Sequence, residues 1–221
     1  MSYTLPLNYL QEVFSTEKTK RYFFETKDFF DSLKPEQGGI LPKMSRKNGS
    51  WTIKNSKKIF ENDFFKVVED DVIGPDEKES KYATIDLKPG VAVLPIDDDG
   101  FVYITRQFRY AIGRFNLEAI AGTVEGEDAL TAAKREAKEE LGIEADEWLN
   151  IGRMEAVTSI TNSHADLYLA QKLKFSKPET EGTEELELVK LPLAGAHERV
   201  MQGEITHAET CVLVLKAVAR K

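Results

Sequence analysis

The chain has 221 residues, of which 41% are hydrophobic and 31% charged. That balance suits one large folded domain with a smaller appendage and excludes a largely disordered chain. A formal net charge of −8 argues against a nucleic-acid binder, whose footprint is basic, but not against small phosphorylated molecules that bind together with a cation.

Cys211 is the single cysteine, so no intrachain disulfide can form and a reducing compartment is expected, the cytoplasm or a comparable organelle interior. No stretch approaches the roughly 20 apolar residues that span a bilayer, so no membrane association is expected. The N-terminal MSYTLPLNYLQEVF lacks the basic start and continuous apolar run of a secretory signal.

Residues 1–50 mix aromatic pairs with charges and end in QGGILPKMSRKNGS, which reads as a helical or partly ordered extension followed by a linker. From Trp51 the runs WTIKNSKKIF, FFKVVEDDVIG and YATIDL predict a small antiparallel β region over 51–87. The main domain is expected over 88–221. It opens with GVAVLPIDDDGFVYITRQFRY, where two β-rich runs flank Asp-Asp-Asp-Gly and predict a hairpin.

The apolar stripe Leu130, Ala133, Ala137 and Leu141 predicts a helix over 129–141, with Asp128 as its N-cap and Gly142 as its stop. MEAVTSIT and ADLYLAQKL read as strands around the polar TNSH. A last helix is expected from Thr206, where Thr206-His207-Ala208-Glu209 has the form of a capping box. His207 and Cys211 are four apart in that apolar pattern and read as core-packing residues. Strands, a central helix, more strands and a terminal helix predict an α/β or α+β layered fold.

The central helix carries KREAKEELG, which places Glu136 and Glu140 one turn apart. Like charges at that spacing cost a few tenths of a kcal/mol. On the helix surface only Arg135 reaches an acid, Glu139 at i+4. Hard divalent cations prefer oxygen ligands and take one or two carboxylates plus substrate phosphates. Glu136 and Glu140, flanked by Glu139, could share such an ion. The plain alternative is a solvated acidic helix face.

The window AGTVEGEDALTAAKREAKEELGI resembles the signature of the Nudix hydrolases, G-x5-E-x7-R-E-U-x-E-E-x-G-U with U aliphatic. It matches from Glu127 through Arg135, Glu136, Glu139 and Glu140 to Gly142-Ile143, with the small Ala137 in an aliphatic slot. The glycine slot falls on Ala121, with Gly122 one residue nearer, as a one-residue shortening between Glu125 and Gly126 would produce. Upstream, RQFRYAIGRFNLEAIAG is similar to ADP-ribose pyrophosphatases and related nucleoside-diphosphate-sugar hydrolases, with Ile120 in place of a proline. Downstream, MQGEITHAET is similar to their C-terminal segment.

The resemblance implies a Nudix-type α/β/α sandwich with a mixed sheet, and Mg²⁺ or Mn²⁺ as cofactor. It implies Glu136, Glu139 and Glu140 as metal ligands, joined by the backbone carbonyl of Ala121, with Arg135 buttressing a glutamate. Glu127 would organise the helix and loop, Arg109 would contact a substrate phosphate and Glu118 would lie beside the site. The substrate implied is a small nucleoside diphosphate linked to another group, ADP-ribose or a nucleotide sugar. The products would be a nucleoside monophosphate and a phosphorylated remainder.

The strands over 51–87 resemble the sheet these relatives use in dimerisation, which implies a homodimer. Where the relatives place a glutamate in the loop after the box, this chain has Ser163, with His164 and Asp166 as the nearest ionisable residues, so the catalytic base is left open. A Nudix-fold sensor that binds a nucleotide metabolite without hydrolysing it is the alternative reading.

Overall fold

The computed structural model describes residues 45–178 and 186–220. Of the extension expected over residues 1–50, residues 1–44 therefore lie outside the described residues. Strands run in chain order as β1 (Arg46–Asn48), β2 (Trp51–Glu61), β3 (Phe65–Ile73), β4 (Glu79–Leu87), β5 (Gly90–Pro95), β6 (Phe101–Arg109), β7 (Arg114–Glu118) and β8 (Ile120–Thr123). Helix α1 (Ala129–Leu141) follows, then β9 (Ile143–Met154), β10 (Ala165–Phe175), β11 (Glu187–Pro192), α2 (Leu193–Met201) and α3 (Ala208–Val218).

β1 to β4 form an antiparallel sheet in chain order. Its ladder begins at Arg46 rather than at Trp51. A mixed sheet has the order β8-β5-β10-β9, with β5 and β10 parallel and both edge strands antiparallel. The third sheet, β11-β6-β7, is antiparallel.

Period-two alternation explains the layering, because successive strand residues face opposite sides. Along β5, Val91 and Val93 join Ala133, Ala137 and Leu141 of α1 in one buried cluster. Ala92 and Leu94 join Leu213, Val214 and Ala217 of α3 in the other. β10 divides in the same way, with Tyr168 and Ala170 toward α1 and Leu167 and Leu169 toward α3. The mixed sheet is thus sandwiched between α1 and α3, the layered α/β/α fold that was expected.

Three local expectations are corrected. The runs on either side of Asp97–Gly100 do not pair as a hairpin ladder. β5 lies in the mixed sheet and β6 in the third, with an isolated bridge between Ile96 and Val102. Backbone bonds from Asp97 N–H to the Phe101 carbonyl and from Gly100 N–H to the Asp97 carbonyl close the turn, and the Asp97 carboxylate accepts from the N–H groups of Asp99 and Phe101 and from the Tyr103 hydroxyl.

MEAVTSIT is not a strand. β9 ends at Met154, and residues 155–161 turn, with the N–H groups of Ile160 and Thr161 donating to the Val157 carbonyl. This loop is fastened to β4 by Ile85 N–H to the Ile160 carbonyl at 2.8 Å and by the Tyr82 hydroxyl to the Ser159 carbonyl at 2.6 Å.

The capping box at Thr206 is not made. The Thr206 hydroxyl accepts from Arg114 and bonds Asn116, and α3 begins two residues later with His207 as N-cap. Helix α2 has no counterpart among the expectations.

Candidate active site

Helix α1 has the boundaries and caps that its sequence predicts. The Asp128 carboxylate accepts from the N–H groups of Leu130 and Thr131, and Gly142 closes the helix at φ 62°. The stripe that seats α1 on the sheet turns Glu136 and Glu140 toward β8. Both project from the last turns of the helix beside that edge strand, and each is met by a different residue of it.

Ala121 donates its N–H to Glu140 Oε1 at 3.2 Å. The N–H and C=O of one strand residue point to the same side, so the Ala121 carbonyl shares this edge with Glu140. The neighbouring Gly122 packs under Glu136 so closely that a Cβ there would stand 1.9 Å from the Glu136 carboxyl carbon. Gly122, rather than Ala121 in the motif's glycine slot, is therefore the residue whose missing side chain admits a carboxylate.

The counter-ion for this acidic face is Arg135. Its Nη1 donates to Glu136 Oε1 at 2.8 Å and to Glu139 Oε2 at 3.0 Å, and its Nη2 to Glu127 Oε1 and the Thr123 carbonyl. Surface spacing alone foresaw Glu139. The bond to the adjacent Glu136 arises because the guanidinium folds back along the helix toward the β8–α1 loop. Burial disfavours the Arg135 cation, but the bonds to Glu127, Glu139 and Glu136 and the Glu136 charge outweigh it and raise its pKa further. Glu127 closes the loop by accepting from the Glu125 N–H.

The metal donors expected here are all hard oxygens, the kind Mg²⁺ and Mn²⁺ take. Among the described residues no three His, Cys, Asp or Glu side chains converge into a ready cage, since Arg135 draws Glu136 and Glu139 toward itself. The set fits a cation that keeps water and takes one or two carboxylates at a time.

A second polar cluster lies across β7. Glu118 has a side chain only 2% exposed. Its Oε2 accepts from Arg109 Nη2 at 2.6 Å and Nε at 3.1 Å, and its Oε1 from Asn116 at 3.0 Å. Burial opposes ionisation of Glu118, but the Arg109 bond, the His207 and Arg109 charges and the Asn116 bond hold its carboxyl below the usual range. The structure thus brings Arg109 and Glu118 together.

His207, expected to pack in the core, instead stands at the start of α3. Its Nε2 lies 3.0 Å from Glu209 and 3.6 Å from Glu118. Cys211 does pack against the core, and burial pushes its thiol pKa up.

Beside these groups a cleft of about 530 Å³ lies between the 155–164 loop, the end of β4 and the edge of the mixed sheet. Ser163 and His164 line it, and the Ser163 hydroxyl donates to the Lys88 carbonyl. Asp166 is held by Arg153 at 3.2 and 3.3 Å. Asn116 had no signal of its own in the sequence, and His207 and Glu209 read only as a helix start and its packing, because their roles here come from contacts across the fold. The hint for Gly122 was its sitting one residue from the motif's glycine slot.

A family model described as NUDIX domain matches residues 86–205. The chain is 30% identical over 122 residues to the ADP-ribose pyrophosphatase of Mycobacterium tuberculosis, covering 53% of this chain and 59% of that protein. It is 28% identical over 161 residues to the ADP-ribose pyrophosphatase of Bacillus subtilis, covering 72% and 87%. It is 30% identical over 171 residues to the methanol dehydrogenase activator of Bacillus methanolicus, covering 74% and 89%.

Among solved structures, an ADP compounds hydrolase superposes with a TM-score of 0.69 at 22% identity, covering 80% of this chain and 96% of that one, which shows a shared fold. No helix among the described residues is long and apolar enough to cross a membrane. With the family model matching over half the chain and the motif residues gathered at one strand edge, the chain belongs to the NUDIX domain family and is a Nudix hydrolase.

Proposed function

We propose that the protein hydrolyses the pyrophosphate bond of a nucleoside diphosphate linked to another group, with ADP-ribose the first substrate to try. The observation that carries this reading is the arrangement of Glu136 and Glu140 against β8, with Arg135 orienting Glu136 and Glu139. The ADP-ribose pyrophosphatase relatives supply the substrate class.

Glu136, Glu140 and the Ala121 carbonyl would hold Mg²⁺ or Mn²⁺, with Glu139 at the flank. A bound ion of this kind supplies a Lewis acid for the diphosphate and lowers the pKa of a coordinated water. Arg135 fixes the orientation of Glu136 and Glu139 and lowers the repulsion among the acids while the site is being loaded. Arg109 presents a planar fork suited to phosphate oxygens, and the buried Glu118 keeps that fork from swinging away. The products would be a nucleoside monophosphate and a phosphorylated remainder.

The test is a panel of nucleoside diphosphate derivatives assayed with Mg²⁺ and with Mn²⁺. Hydrolysis that yields a nucleoside monophosphate, and falls by orders of magnitude in Glu136→Gln, is the expected result. A panel without turnover, or wild-type rates in that variant, overturns the reading. A homodimer built through β1 to β4 is part of the same proposal, and monomeric sedimentation would contradict it.

A further inference from the structure

The cleft has five ionisable side chains in its lining among the described residues: Asp63, Lys88, Glu125, His164 and Glu209. Asp63 and Glu125 are exposed, and the nearest basic group to Glu125 is Lys88 at 3.8 Å. Glu209 differs from both. Its side chain is 21% exposed and receives His207 Nε2 at 3.0 Å.

That imidazole is itself fixed. Its Nδ1 meets the Thr210 hydroxyl at 2.9 Å, and the same hydroxyl accepts the Ala119 N–H at 2.7 Å. Carboxylates of Glu118 and Glu209 both face Nε2, and a hydrogen on that nitrogen orients Glu209. Glu209 is thus a carboxylate that faces the cleft and is held by a second group, the arrangement that proton transfer requires.

Its position follows from β8 and the residue before it. Ala119 anchors Thr210, and Ala121 anchors Glu140. Two residues of extended chain span about 6.6 Å. The first turn of α3 and the last turns of α1 therefore reach the same strand edge from opposite faces of the sheet. This puts Glu209, which lines the cleft, in the first turn of the helix that docks on the strand edge receiving Glu140.

Resting on the hydrolytic reading above, we propose that Glu209, oriented by His207, accepts the proton of the attacking water. The water oxygen forms a bond to one phosphorus while the bridging P–O bond breaks, and the bond pair leaves with the departing phosphate. One water proton passes to the Glu209 carboxylate and the other stays on the new phosphate. Glu209 then returns its proton to solvent. The hydrogen bond from His207 holds the Glu209 carboxyl below its usual range against the effect of burial, so the group is ionised and ready to accept at neutral pH.

The experiment compares the intact protein with Glu209→Gln, Glu209→Ala and His207→Ala. Glu209→Gln should lower kcat about 10²- to 10³-fold, with KM within about twofold. Calorimetric binding of Mn²⁺ and of a methylene-bridged ADP-ribose analogue should be unchanged. Formate or acetate should restore part of the Glu209→Ala activity, which a purely structural role would not allow. His207 acts as a positioning residue, so His207→Ala should lower kcat about tenfold and add nothing to Glu209→Gln.

Wild-type kcat in Glu209→Gln overturns the proposal. So does an activity loss that small carboxylates do not rescue and that accompanies weakened Mn²⁺ binding. If the unsubstituted protein hydrolyses nothing in the panel, the hydrolytic reading falls and this proposal falls with it. If it hydrolyses and Glu209→Gln does too, only this proposal falls.

Discussion

Gly122 and Glu136 stand in van der Waals register, with the carboxyl of one occupying the space where the other would carry a side chain. The backbone of Gly122 is not left-handed, so space alone requires the glycine. Gly122→Ala should displace Glu136 rather than unfold the protein, because the clashing atoms are the far end of a flexible side chain. A shift of about 1 Å at a catalytic group costs roughly 10²-fold in rate. We expect that loss with a stability change below about 1 kcal/mol, read from steady-state kinetics and a urea melt. A large loss of stability with normal kcat in the folded fraction would contradict this account.

Arg135 joins four acceptors: Glu136 and Glu139 on α1, the Thr123 carbonyl at the end of β8, and Glu127 in the loop between them. Lysine carries the charge without the fork. Arg135→Lys should keep the net charge, lose the bridge to the loop, and lower activity at least tenfold. The fall should be only partly recovered by raising Mn²⁺, because orientation of Glu136 is lost as well as charge. Full recovery at high Mn²⁺ would mean that Arg135 acts through charge alone.

Helix α1 was readable from the sequence because its determinants are local: an apolar stripe, an N-cap at Asp128 and a stop at Gly142. What could not be read was pairing across the fold. Two β-rich runs around Asp97–Gly100 look like a hairpin, yet each finds its ladder elsewhere, β5 with β10 and β6 with β11. The Thr206 hydroxyl, which suits a cap, is taken by Arg114 and Asn116, about 90 residues away in sequence. The same limit applied at the site. Glu136, Glu139 and Glu140 follow a motif, whereas Glu209 enters the cleft only because α3 docks on the strand edge that also receives Glu140.

The Arg109–Glu118 pair has a buried member, so removing one partner is worse than removing both charges. Arg109→Ala leaves the Glu118 carboxylate with only Asn116 and His207 for support. It should destabilise the protein by about 3 kcal/mol. Adding Glu118→Gln should restore part of that stability while activity stays low. Additive losses in this cycle would show that the two residues are not energetically coupled.

Asp97 supplies the remaining prediction, through pH. It accepts from the N–H groups of Asp99 and Phe101 and from the Tyr103 hydroxyl, and pairs with Lys190 at 2.9 Å. Burial opposes its ionisation, but the bonds from Lys190, Phe101 and Tyr103 and the Lys190 charge lower its pKa from 3.8 to about 2. A carboxyl depressed by folding stabilises the native state above its ordinary pKa, and that contribution is lost as pH falls through the folded value. Stability should therefore drop by on the order of 1–2 kcal/mol between pH 4 and pH 2 on account of this group, allowing for the water that reaches the pair. Asp97→Asn should be less stable at pH 7 and lose less on acidification, in urea melts across that range. Parallel pH profiles for the two proteins would show that the Asp97 carboxylate does not carry this dependence.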